Sequence, residues 1–119
     1  MNAPHYMNAS ALLGAVEPDP IGVVLCTGYM RFQSPGGLGG LAKWTDTRLD
    51  LLAVHAMIEG RGQFRDFIAS AKREWQTICV WEDWNPVVGP ALARYGFTRE
   101  TEVQGDGEII NGWRWDKTP

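Results

Sequence analysis

Ile78 to Phe97 reads ICVWEDWNPVVGPALARYGF, and the rest of the chain is organised around it. The stretch begins as a strand, because Ile78, Cys79, Val80 and Trp81 form a short run of branched, bulky or apolar residues. The run breaks at Glu82-Asp83-Trp84. Asn85 then stands where a side-chain oxygen can accept from an orphan helix N–H, and Pro86 suits a first helical position that needs no N–H. Val87, Val88, Ala91, Leu92 and Tyr95 follow at helical spacing and give one apolar face. Gly96 is placed as a left-handed residue just past the helix, with Phe97 able to fold back on the last turn. Gly89 and Pro90 are the weak point, since a proline one turn in shortens or kinks a helix.

Upstream, Arg48 to Met57 (RLDLLAVHAM) is almost continuously apolar, as in a central strand buried on both faces. Leu and Ala also favour helices, but Gly60-Arg61-Gly62 interrupts the pattern. Phe64, Phe67, Ile68, Ala71 and Trp75 then recur at helical spacing, with Arg65, Asp66, Ser70, Lys72 and Arg73 on the other side. Strand, Gly-x-Gly, helix and strand make a βαβ unit, with Arg48–Met57 and Gln76–Trp81 expected as parallel neighbours. Downstream, TRETEV and EIINGWRW flank an Asp106-Gly107 turn and read as a β-hairpin. The core expected from this reading is Leu51, Ala53, Phe64, Phe67, Ile68, Ala71, Ile78, Val80, Leu92 and Phe97.

The first half is less ordered on paper. Residues 1–20 read as a loosely structured segment, with one or two helical turns within Ala9–Val16 and a turn at Asp19-Pro20. Ile21 to Phe32 reads as a strand in which Gly28 marks a bulge or the junction of two strands. Pro35 to Gly40 reads as a loop or wide hairpin connection. It is no phosphate-binding P-loop, because Leu41-Ala42-Lys43 stands where Gly-Lys-Ser/Thr would be needed.

An apolar strand, Asn85, a short helix closed by Gly96-Phe97 and a final hairpin resemble the C-terminal half of the GNAT superfamily, the acetyl-CoA-dependent N-acyltransferases. The resemblance spans about Arg48 to Trp115. It implies an α/β (α+β) fold: a mixed, mainly antiparallel sheet, a helix after the Gly-x-Gly turn, a short second helix and a C-terminal β-hairpin. The 119 residues suit one domain of this kind.

The net charge of −3 and the lack of clustered Lys and Arg argue against a nucleic-acid surface. Lys72-Arg73, with Glu74 beside it, reads as a solvated helix face. Cys26 and Cys79 lie far apart in apolar runs and read as buried thiols rather than a bridge or a metal site. No stretch has a signal peptide's organisation or membrane-spanning length, so a bacterial cytoplasm or a phage particle is the expected location.

The resemblance also implies site residues. A helix N-terminus after a glycine loop attracts phosphate, so Gly60, Arg61, Gly62 and Asn85 are the candidates for holding acetyl-CoA or CoA; an ordinary strand-to-helix turn explains the same glycines. Met57 stands where the family has Arg or Gln, and Glu59 opposes an anion. The family's thiolate acid, seven residues after the Asn, falls on Leu92, which cannot donate a proton. Tyr95 is the nearest substitute as acid, and His55 and Glu82 are candidate bases. A lone His in an apolar strand is more often a hydrogen-bonded core residue.

These departures are similar to those of small GNAT-like proteins of tailed phages, such as the internal virion proteins of T7-like podoviruses. They imply a catalytically degenerate protein whose partner is a phage structural protein or a host factor. A homo-oligomer is equally open, and an active N-acetyltransferase with a minimal acceptor site is the alternative.

Overall fold

In a computed structural model, residues 11–18, 28–56, 62–81, 88–103, 107 and 109–118 are described. Seven strands, β1 (Ala15–Pro18), β2 (Met30–Gln33), β3 (Leu38–Trp44), β4 (Arg48–Ala56), β5 (Thr77–Trp81), β6 (Thr98–Val103) and β7 (Ile109–Asp116), form one sheet. Helix α1 (Gln63–Glu74) joins β4 to β5, and the short α2 (Val88–Arg94) lies between β5 and β6. The strand order is β1-β2-β3-β4-β5-β7-β6. Every neighbouring pair is antiparallel except β4 and β5, which run parallel from Arg48↔Thr77 to Leu52↔Trp81. This is the architecture that the resemblance implies, down to the parallel pair and the closing hairpin.

The inner face of the sheet carries the core. Phe32, Ala42, Leu49, Leu51, Ile78 and Val80 meet Phe67, Ile68 and Ala71 from α1, and all are buried. Phe32 and Phe67 stack with ring centroids 5.7 Å apart. Trp75 stands just past α1, buried, and its indole N–H donates to the Thr45 carbonyl at 3.0 Å. That bond ties the end of the helix to the β3–β4 turn.

Helix α2 ends as its sequence reads. Gly96 has φ 91°, the Phe97 N–H donates to the Leu92 carbonyl at 3.0 Å, and Gly96 N–H donates to Ala93 at 3.2 Å. These bonds close a Schellman motif, and Leu92 and Phe97 are buried together in the core. Pro90 is the third residue of the helix as described, where its missing N–H is one that a helix leaves unpaired anyway. The described helix, Val88–Arg94, is short, as expected from a proline one turn in. Asn85 and Pro86, the expected start of this helix, lie outside the described residues.

Three expectations change. Residues 38–40 are strand, not loop: β3 is paired on both sides, and two ladders outweigh the low strand preference of Gly39 and Gly40. Residues Ala15 and Val16, expected in helical turns, belong to β1, and the described helical residues before it are Ala11–Leu13. Ala53, expected in the core, is exposed with φ 53°, and Phe64 is only half-buried. Of the expected Ile21–Phe32 strand, the described part begins at Met30, after a turn at Gly28.

Candidate functional site

The candidate residues expected from sequence belong to the segments around the parallel pair β4 and β5. The described β4–β5 pairs run from Arg48↔Thr77 to Leu52↔Trp81, and β4 runs on to Ala56 in register with β3. A β-bulge sits in the β3–β4 pairing. Leu41 faces Leu52 and Gly39 faces His55, so Gly40 stands opposite two residues, Ala53 and Val54. The left-handed φ of Ala53 belongs to this irregularity. Gly40 is needed there, since a Cβ on it would stand 2.9 Å from the Ala53 carbonyl oxygen and 3.0 Å from that of Leu52. A bulge bends the strand that carries it, and such bends gather beside functional clefts. Nothing in the apolar run LLAV announces it.

Helix α1 follows β4 in the chain. Gly62 caps it at φ 70° with no side-chain cap, and the first turn holds Asp66. The Arg65 guanidinium folds back over Gly62, so a Cβ there would meet its Nη2 at 2.6 Å. Sequence reading placed Arg65 on the solvated side of the helix, and it is exposed there, paired with Asp66 at 3.3 Å. A groove of about 470 Å³ runs alongside, lined by Leu12, Ser34, Pro35, Asp66, Phe67 and Ser70.

The sequence-predicted residues divide as follows. Gly62 is in place at the helix start. His55 lies on β4 opposite Gly39, and its side chain is not among those described. Gly60, Arg61, Glu82 and Asn85 lie outside the described residues, as do Met57, Glu59 and Cys26. Tyr95 stands at the far end of α2, its ring packed 6.2 Å from that of Phe64. Leu92 is fully buried.

Lys72 is not on a solvated face. Its ammonium donates to the Tyr95 carbonyl and lies 5.0 Å from the Trp115 ring centroid and 5.7 Å from that of Phe97. It thus caps the C-terminus of α2, where a cation suits the helix dipole. Burial pulls its pKa below the ordinary lysine value.

The outer face of the sheet holds a second polar arrangement that sequence reading missed. Asp50 is buried there. It accepts from Arg48 Nε at 3.0 Å and Nη2 at 2.9 Å, and from the Trp81 indole N–H at 2.9 Å. Trp81 therefore folds back along the outer face onto Asp50. Cys79 is buried beside it, and desolvation pushes its thiol up to about 12 against the opposing pull of the Arg48 charge. The alternation Arg48, Asp50, Leu52 within an apolar run was the available signal.

Among the described residues no helix is long and apolar enough to cross a membrane, and no group of three His, Cys, Asp or Glu could hold a metal ion. No family model matches the sequence, and no curated protein matches it. Among solved structures, Ard1 from Thermoplasma volcanium is similar at TM-score 0.42 and 12% identity, over 77% of this chain and 72% of that chain.

Proposed function

We propose that this chain is a GNAT-type protein whose acyl-transfer chemistry is reduced, and that it acts as a structural or host-interaction protein of the kind small phage genomes encode. The observation that carries the reading is the fate of the acid position. Leu92 has no proton to give and is sealed in the core, while Tyr95 packs against Phe64 and lends its carbonyl to Lys72. Losing a positioned acid costs about 10²–10⁴-fold in rate. Toward CoA the described residues fit in one respect: the Gly62 start of α1 with Arg65 over it would favour a pyrophosphate, with Asp66 opposing. When bound, CoA would supply the activated acyl group; this chain's residues would hold it and do little to drive its transfer.

A second reading, an active N-acetyltransferase with a minimal acceptor site, is favoured by the bulge at Ala53 in β4. Titration calorimetry with acetyl-CoA, followed by acetyl transfer to a mixed pool of amines and peptides, separates the two. Weak or absent binding without turnover is expected. Micromolar binding with turnover, both abolished by bulky replacements at Gly60 and Gly62, would make the enzyme reading primary.

A further inference from the structure

The two edges of the sheet differ in character. β1 lies at one edge, four residues long and ending in Pro18, which carries no N–H. Shortness and proline both blunt an edge against further pairing. β6 lies at the other edge. Its six residues, TRETEV, include no Pro, Gly or Lys, and all are exposed except the half-buried Glu100. Among the described residues β7 is its one strand partner. The second row of backbone N–H and C=O groups along β6 is therefore a template for another strand.

The side chains decide which strand fits. Glu102 stands on the outer side, where its Oε2 is 3.5 Å from Arg48 Nη2 and its rung partner Ile110 packs on Leu52, Cys79 and Trp81. Strand alternation puts Glu100 on the same side. Arg99 lies over the Trp113 ring on the inner side, which Thr101 and the exposed Val103 share. A second copy of this chain fits poorly. An antiparallel twofold pairing of β6 with itself must be centred on one residue, and the two registers that engage most of the strand are centred on Glu100 and on Thr101. The first sets the Glu100 carboxylate against its own copy. The second sets Glu100 against Glu102 on both sides of the axis. Like charges directly opposite destabilise a strand pair. A strand with Lys or Arg at alternate positions and apolar residues between them meets both carboxylates with cations and covers Val103.

We propose that the β6 edge takes up an extended basic segment of another protein as an added strand, with its Lys or Arg side chains on Glu100 and Glu102. This gives the interaction role proposed above a partner class and rests on that reading. β6 contains none of the residues assigned to CoA, so peptide binding and acetyl-CoA binding are measured independently and fail separately.

Fluorescence anisotropy on the full chain, with a short labelled peptide of alternating lysine and valine, tests the pairing. The lysine peptide should bind, a peptide with glutamate in place of lysine should bind at least about tenfold more weakly, and methylation of the lysine peptide's backbone nitrogens should abolish binding. Glu100→Lys should weaken the lysine peptide about fivefold. Glu100→Gln should weaken it about twofold, which keeps the test valid if Glu100→Lys folds poorly. Failure of the lysine peptide to bind, equal binding of its methylated form, unchanged binding to Glu100→Lys, or a dimer of the natural chain that the peptide dissolves would overturn the assignment.

Discussion

The two faces of this sheet are built on opposite principles. The inner face is closed by α1 and by Leu92 and Phe97, and its buried contacts are hydrocarbon and aromatic. On the outer face a carboxylate, a guanidinium, an indole N–H and a thiol share a small buried patch, with Ile110 of the hairpin packed against it. Apolar contacts need only volume and shape to match, so the inner face tolerates rough patterning. Polar contacts must each find a partner, so the outer face depends on particular atoms. The first kind of face holds the fold together. The second holds Trp81 in one orientation against Asp50.

The contrast can be broken by substitution. On the inner face, Phe67→Ala should cost about 3–5 kcal/mol in urea unfolding; a loss below about 1 kcal/mol would take Phe67 out of the core. On the outer face, Asp50→Ala should cost about 2–3 kcal/mol, because it strands the Trp81 N–H and leaves Arg48 only Glu102. A near-neutral result would mean that the polar patch is not integral to the fold.

Cys79 sharpens the comparison through pH. Its folded pKa is raised above the ordinary thiol value of 9.0 to about 12. The sign follows: its contribution is fully present below 9.0 and is lost as pH rises toward 12, since only the unfolded chain releases the proton. Relative to Cys79→Ala, the natural chain should lose about 1.4 kcal/mol more between neutral pH and pH 10. Parallel stability curves for the two chains would place the thiol in contact with water. The smallest effect belongs to neither face: Gly96→Ala should cost about 1 kcal/mol, because an alanine at φ 91° is strained although the nearest atom, Trp115 Cδ1, lies an ordinary 3.7 Å from the new Cβ. A gain in stability there would show that the left-handed cap is dispensable.

The candidate site was only partly legible. Gly62 at a helix start and Leu92 at the acid position could be read directly, because spacing along one chain sets both. The bulge at Ala53 could not, since it arises from a mismatch between two strands that are each regular alone. Lys72 over Trp115 was missed for a similar reason: a long cationic side chain reads as solvated until an aromatic neighbour lies within reach. Asp50 was passed over inside an apolar run, where one charge signals little until its donors on Trp81 and Arg48 are seen.

By itself the sequence determined the elements with strong local signals: the amphipathic α1, the Gly96-Phe97 end of α2, the β4 and β5 runs and the hairpin strands. Each depends on period, capping or turn chemistry within a few residues. Tertiary structure alone decided β1 and β3, whose strand character comes from partners on other segments. It decided which side of β4 holds hydrocarbon and which holds Asp50, and it decided that Glu102 of the hairpin pairs with Arg48. Those outcomes rest on contacts between residues distant in the chain, and no local pattern encodes which distant residue will be the partner.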